Sequence, residues 1–147
     1  MTESPEARET YRGTVYPWQC DHIGHMNVMW YVGKFDEATW HFFAGLGITP
    51  SYLRRENRGM AAVQQNITYL RELHAGDIVV IHSRLLEMRG KVIRFLHEMT
   101  DAETDEVVAR TELTGVHLDR DIRRACAFPE ALRASAQEHI SAPTDNA

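Results

Sequence analysis

The stretch Asp21-His22-Ile23-Gly24-His25-Met26-Asn27, with the segment that follows it, decides how this chain is read. After Asn27, the residues Val28, Tyr31, Val32, Phe35, Ala38, Thr39, Phe42 and Leu46 recur at steps of three and four, which places them on one stripe of a helix. Asn27 stands where an N-cap belongs, with a side-chain oxygen able to accept from backbone N–H groups one turn on. Gly45 and Gly47 bracket the other end, glycine being the residue that most readily ends a helix. The spacing predicts one long helix from Val28 to about Leu46. On its other side Met29, Trp30, Trp40 and Phe43 are interleaved with Lys34, Asp36, Glu37 and His41. A helix apolar on more than one side is buried on more than one side. The expectation is a helix lying against a sheet, with part of its outer face meeting another subunit and Asp36 and Glu37 on its polar face.

A helix start presents unpaired N–H groups and the positive end of the helix dipole, a setting that can hold an oxyanion. Here the donors are the N–H groups around Asn27 and Val28. Asp21 lies upstream across a turn that Gly24 permits, so its carboxylate and those donors can face one carbonyl. The arrangement suits hydrolysis of an activated acyl group, with Asp21 as general base or nucleophile. Asp21 also reads as a turn former, His25 as a hydrogen-bonding partner of the loop backbone, and Tyr31 as a core residue whose hydroxyl can line a pocket. Asp21, His22 and His25 have the right chemistry for a metal. A pair three apart in a glycine turn, with no further ligand cluster nearby, is a poor template, and no metal is expected.

The run Trp18-Gln19-Cys20-Asp21-His22-Ile23-Gly24-His25-Met26-Asn27, followed by Tyr31, resembles the hotdog-fold acyl-CoA thioesterases of the 4-hydroxybenzoyl-CoA thioesterase type. Those enzymes show Asp-x-x-Gly-His-x-Asn and then Tyr four residues later. The resemblance implies that Asp21 is the catalytic aspartate and that the Val28 N–H polarises the thioester carbonyl. It covers roughly residues 11–130, with the specific part in 18–31. Gln19 departs from it, since the family often has an acidic residue there. The stretch Asn27 to Glu37 is also similar to betainyl-CoA thioesterases linked to carnitine breakdown. Trp18, Trp30 and Trp40 can line an aryl pocket, hold a quaternary ammonium group, or simply pack.

The 147 residues suit one domain with a real core. A net charge of −5 argues against nucleic acid as a main partner. Cys20 and Cys126, with no recognisable signal peptide, read as reduced thiols in a cytoplasmic protein. No apolar run approaches the length of a membrane span. Residues 1–9 and 141–147 read as flexible tails around a single domain, 10–140.

Along the chain, Tyr11 to Trp18 reads as the first strand, with Pro17 at its end. Thr49-Pro50 starts a short helix to about Asn57. Met60–Leu70, Ile78–Met88, Lys91–Thr100 and Glu106–Leu118 read as four further strands. The last three are joined by short turns as an antiparallel meander, followed by a charged turn and a short helix from Phe128-Pro129 to about His139. The fold class expected is α+β, a curved antiparallel sheet of about five strands around a long helix; this agrees with the hotdog fold. Gln64, Gln65 and Asn66 are polar for a core strand, and Gln65 is a candidate to position substrate or water. Arg89 and Lys91 flank Gly90 at a hairpin tip, where cations can reach a phosphate; in the related thioesterases, basic residues of this region bind the phosphates of CoA.

The leading expectation is a thioesterase acting on a small acyl-CoA. Asp21, His25, Asn27 and the Val28 N–H form the catalytic set, and Tyr31, Trp18, Gln65, Arg89 and Lys91 contact substrate. The resemblance implies no cofactor, acyl-CoA as substrate, and a homodimer or homotetramer. Two other readings stay open: a hotdog enoyl-CoA hydratase or dehydratase, with His25 and Glu37 in its roles, and a non-catalytic acyl-CoA binding protein.

Overall fold

A computed structural model describes residues 7–140. The expected tail 141–147 and residues 1–6 lie outside the described residues. The elements are β1 (Arg8–Thr14), a 3-10 turn (Pro17–Gln19), α1 (Val28–Leu46), α2 (Pro50–Glu56), β2 (Arg58–Tyr69), β3 (Ile78–Arg89), β4 (Val92–Asp101), β5 (Val107–Asp119), β6 (Arg124–Ala125) and α3 (Glu130–Gln137). The sheet order is β1-β3-β4-β5-β2, all neighbours antiparallel, with β6 attached to β5. The sheet curls into a half-barrel around α1, the α+β hotdog arrangement.

Local chemistry sets most boundaries. Asn27 caps α1 by accepting from the Met29 N–H at 3.0 Å, and Gly47 ends it in the left-handed region at φ 105°, where a side chain would be strained. Thr49 caps α2 through the Tyr52 N–H, with Pro50 at the first helical position. Two expectations are corrected at the start of the chain. Arg8 and Glu9 belong to β1 rather than to a tail, because β1 is held by the β3 edge from Arg8 onward. The same strand stops at Thr14, since Pro17 cannot donate to a ladder and opens the 3-10 turn instead. The charged turn after β5 contains the short sixth strand, Arg124–Ala125.

Two packed regions share α1. Phe42, Phe43 and Leu46, at its C-terminal end, meet Leu85, Phe95, Tyr52 and Phe128. Tyr31, Phe35 and Ala38, nearer its start, meet Val15, Met26, Leu73, Ile81 and Met99. The expected apolar stripe is therefore core from Tyr31 onward, but Val28 and Val32 are exposed. Lys34, read from sequence as interleaved with the outer residues, is buried: its ammonium donates to the Tyr11 hydroxyl at 3.0 Å and lies 5.3 Å from that ring's centre. A long aliphatic stem makes such burial possible when the charged tip finds a partner.

Between α1 and the sheet runs one buried polar chain. Thr10 meets Ser83 at 2.7 Å, Ser83 meets His97 Nδ1 at 2.6 Å, and His97 Nε2 meets Thr39 Oγ1 at 2.8 Å. Burial pushes the His97 imidazole down to about 3, so it is neutral in the folded protein.

Candidate active site

The loop between the 3-10 turn and α1 closes on itself. The Gly24 N–H donates to the Asp21 carbonyl at 3.0 Å and the Asp21 N–H to the His25 carbonyl at 3.0 Å. Gly24 sits at φ 106°, a conformation natural to glycine alone. Cys20 and Met26 pair as an antiparallel bridge at the base of the loop. The Asn27 N–H donates to the Gln19 carbonyl at 2.9 Å and the Met26 N–H to the Leu73 carbonyl at 2.7 Å. The loop is thus tied to both the first turn and the segment after β2. Gln19, where the related enzymes often carry an acid, turns its side chain back to accept from the Tyr16 N–H at 3.1 Å.

Each oxygen of the Asp21 carboxylate accepts one hydrogen bond, Oδ1 from the Ile23 N–H at 3.0 Å and Oδ2 from the Asn27 amide at 3.3 Å. The Asn27 amide is the main reason the carboxyl lies below the ordinary Asp value; partial desolvation opposes it and the Ile23 N–H adds to it. The group is accordingly ionised at neutral pH. At the helix start the Met29 and Trp30 N–H groups are taken by the side chain and carbonyl of Asn27. Among the described residues none accepts from the Val28 N–H. A carboxylate and an unclaimed, dipole-backed donor are thereby fixed around one asparagine.

Beside the loop is a cavity of about 270 Å³ lined by His25, Met26, Val28, Tyr31, Tyr69, Leu70, Arg71 and Glu72. Half-buried His25 places Nε2 3.7 Å from Glu72 Oε2. Tyr31 is buried, donates its hydroxyl to the Arg71 carbonyl at 3.0 Å and is pushed up to about 12, mainly by burial. Its hydroxyl is thus a neutral donor already in use. Residues 69–72 were not singled out in the sequence: they join the site only because the chain leaving β2 passes over the start of α1, a contact with no local signature.

A second cavity, of about 110 Å³, lies between the outer stripe of α1 and strands β2, β4 and β5, with Val32, Asp36, Trp40, Phe43, Gln65 and Phe95 among its walls. Gln65 therefore lines this space and not the loop cavity. Asp36, read from sequence as part of the polar helix face, lies in its wall. Trp18 lines neither cavity; it is 67% exposed and stacked on Tyr16, ring centres 4.6 Å apart. Arg89 and Lys91 sit at the β3–β4 turn, which touches the chain just before α3 through the Phe128 N–H and the Gly90 carbonyl. Arg89 is paired with Glu87 at 3.1 Å. Within one chain, this hairpin and the Asp21 loop lie toward opposite ends of α1.

Among the described residues no cluster of three His, Cys, Asp or Glu side chains could hold a metal ion, and no helix is long and apolar enough to cross a membrane.

Residues 15–135 match the thioesterase-like superfamily. The chain is 30% identical over 122 residues to an L-carnitine dehydrogenase/betainyl-CoA thioesterase of Agrobacterium fabrum, covering 83% of this chain and 25% of that protein. A protein of the same description from Ruegeria pomeroyi is 30% identical over 129 residues, 84% of this chain and 26% of that one. The chain spans about a quarter of the length of these curated relatives. Among solved structures, a Staphylococcus aureus protein in complex with CoA superposes with a TM-score of 0.84 at 19% identity, over 97% of this chain and 94% of that one. A 1,4-dihydroxy-2-naphthoyl-CoA thioesterase from Synechocystis superposes with a TM-score of 0.78 at 15% identity, over 90% and 96%. At such identities these likenesses concern the fold.

Proposed function

Because the chain belongs to the thioesterase-like superfamily, we propose that it hydrolyses an acyl-CoA thioester to the free acid and CoA, with Asp21 as the group that opens the thioester. The observation that carries this is the double use of Asn27. It caps α1 and holds the Asp21 carboxylate, so the anion and the unclaimed Val28 N–H keep a fixed relation. A thioester carbonyl set between them has its carbon toward Asp21 and its oxygen toward Val28. As the tetrahedral centre forms, the oxygen gains charge and the N–H bond strengthens.

The carboxylate can act by two routes. As nucleophile, one oxygen bonds to the carbonyl carbon, CoA leaves as thiolate, and water then opens the mixed anhydride. As general base, it takes a proton from water while the hydroxyl attacks, and the expelled thiolate is protonated. Single turnover in heavy-oxygen water identifies the first route: solvent oxygen enters the Asp21 side chain only there, when water attacks the aspartyl carbonyl of the anhydride. His25 and Tyr31 border the loop cavity, and their part is to shape and orient. The reading is tested by thiol release from aliphatic, aryl and cationic CoA esters. Turnover of at least one supports it; no release from any contradicts it.

The working form is a homodimer. Among the described residues β2 is an edge strand without a neighbour on its outer side, it carries no charged residue from Gly59 to Leu70, and most of its length is exposed. A long uncharged edge is a template for another strand, and antiparallel pairing with a second copy satisfies it about a two-fold axis. That pairing reverses the second copy, whose β3–β4 hairpin then lies toward the end where this copy's α1 begins. We assign the CoA phosphates to Arg89 and Lys91 of the second copy.

A further inference from the structure

We propose that the cavity between the start of β2 and the β5–β6 turn binds a phosphomonoester, with the guanidinium groups of Arg120 and Arg123 as its partners. The cavity, of about 330 Å³, is lined by Gly59, Leu118, Asp119, Arg120 and Arg123. It shares no residue with the two cavities along α1.

The charge there is opposite to that of the chain. Segments 54–58 and 119–124 carry six arginines against three acids, while the whole chain has a net charge of −5. The two segments are locked together: the Arg120 N–H donates to the Asn57 carbonyl at 3.1 Å, and the Asn57 amide to Asp121 Oδ1 at 2.6 Å. Seven arginines of the chain are ion-paired, but among the described residues Arg120, Arg123 and Arg124 are not. The acids beside them in sequence are engaged elsewhere. Asp119 Oδ1 accepts from the Asp121 N–H at 2.9 Å and meets Arg58 Nη1 at 3.3 Å, and Asp121 is held by Asn57. The carboxylate in the cavity wall is thus neutralised by Arg58, and Arg120 and Arg123 keep their charged donors for a ligand.

Local structure places the two side chains together. Asp119 pairs with Arg124 across β5 and β6, so Arg120 and Arg123 are the first and last residues of the turn between them. The Arg120 stem lies against Gly59, where an added Cβ would stand 3.6 Å from its Cγ and Cδ. Arginine forks present paired N–H donors to phosphate oxygens. A phosphomonoester brings about two negative charges and three acceptor oxygens near neutral pH, enough for both forks, whereas a carboxylate answers one. No aromatic ring lines the cavity, so it would read the phosphate and not a base. Two sources carry this group. The cavity stands at the Gly59 end of β2, and Tyr69, which borders the loop cavity, at the other, about 33 Å along the strand. In the antiparallel dimer proposed above, the second copy brings its Gly59 end toward this copy's loop, where the 3′-phosphate of a CoA ester would meet it. CoA carries a diphosphate as well, so this pair adds to Arg89 and Lys91 and does not replace them. The other source is a free nucleotide acting as an effector. The CoA source rests on the thioesterase and dimer readings; the phosphate site itself does not.

The test is calorimetric titration of adenosine 3′,5′-bisphosphate, and of adenosine, into wild type and into Arg120→Gln/Arg123→Gln protein, with thermal melting to check the fold. Wild type is expected to bind the bisphosphate and not adenosine, and the folded double variant to bind it about tenfold or more weaker. Arg123→Gln alone leaves the Arg120 contacts with Gly59 and Asn57 in place and should show a smaller loss in the same direction. No binding to wild type, or equal affinity in the folded variants, would overturn the proposal. Thiol release from a CoA ester and its 3′-dephospho-CoA analogue identifies the source. A preference of about tenfold or more for the CoA ester, abolished in the double variant, makes the bound group the substrate's own phosphate. Equal kcat/KM for the two esters, or a preference that survives in the variant, leaves a free nucleotide as the source. If neither ester is hydrolysed while the variant still loses the bisphosphate, the phosphate site stands and the thioesterase reading falls.

Discussion

Asn27 donates its side-chain amide to Asp21, Nδ2 to Oδ2 at 3.3 Å, while its own Oδ1 accepts from the Met29 N–H at 3.0 Å. One residue therefore sets both the start of α1 and the charge state of the loop carboxylate. Neither contact is long-range, and both follow from an asparagine placed at the helix cap.

Replacing Asn27 with Ala should lower stability by about 1 kcal/mol through the lost cap. It should also raise the Asp21 pKa, because the Asn27 amide is the main cause of its depression. If Asp21 acts as the ionised group proposed above, the acid limb of kcat/KM moves to higher pH in the variant. A pH–rate profile together with a denaturant titration checks both; an unmoved acid limb would count against the Asp21–Asn27 coupling.

Val28 offers a clean test of the oxyanion donor. It is the first residue of α1, where proline is tolerated because that N–H has no helical partner. Asn27, at φ −74° and ψ 148°, already has the extended backbone that precedes proline. Val28→Pro should fold, and kcat should fall by about 10²-fold or more. Circular dichroism and thiol release distinguish loss of the donor from loss of the fold.

The edge of β2 predicts the oligomeric state. Val63 lies at the irregularity between Ala62 and Gln64 and is 59% exposed. Val63→Lys puts a charge on the free edge, the usual guard against strand addition. Sedimentation velocity should show a dimer for wild type and a monomer for the variant, with secondary structure unchanged. Activity should fall with the dimer, since the phosphate contacts are assigned to the second copy.

His97 predicts how stability depends on pH. Its folded pKa is lowered to about 3 by burial, against an ordinary value near 6.5. Above about pH 6.5 neither state binds this proton and its effect is nil. Below that the unfolded chain takes up a proton that the folded one does not. Stability therefore falls by up to about 1.4 kcal/mol per pH unit, down to the folded pKa. Denaturant titrations from pH 7 to pH 5 should show this slope in wild type and a flatter one in His97→Gln, whose amide can still meet Ser83 or Thr39.

Much of this was readable from residues that act locally. Asn27 and Gly47 fixed the ends of α1, Thr49-Pro50 the start of α2, and alternation along Ile93 to Met99 the inward face of β4. What escaped depended on which part of the chain lies across from which. Lys34 looks like a surface residue until Tyr11 of β1 is placed over it. Val28 and Val32 look like core, but both are exposed, Val28 at the loop cavity and Val32 at the cavity beside β2. Tyr69 to Glu72 border the loop cavity only because β2 ends beside the start of α1. Asp36 reads as ordinary helix polarity; its place among Trp40, Phe43 and Phe95 is a property of the packed sheet and helix. Trp18, next to the loop in sequence, stacks on Tyr16 and turns outward.

The most direct measurement is thiol release from the best CoA ester by wild type and by Asp21→Asn, with folding of both checked by thermal melting. The substitution keeps the size of the side chain and removes its charge. The expected result is a loss of about 10²-fold or more in kcat with a folded variant. A folded Asp21→Asn protein that hydrolyses the ester as fast as wild type would contradict the assignment of Asp21 as the group that opens the thioester.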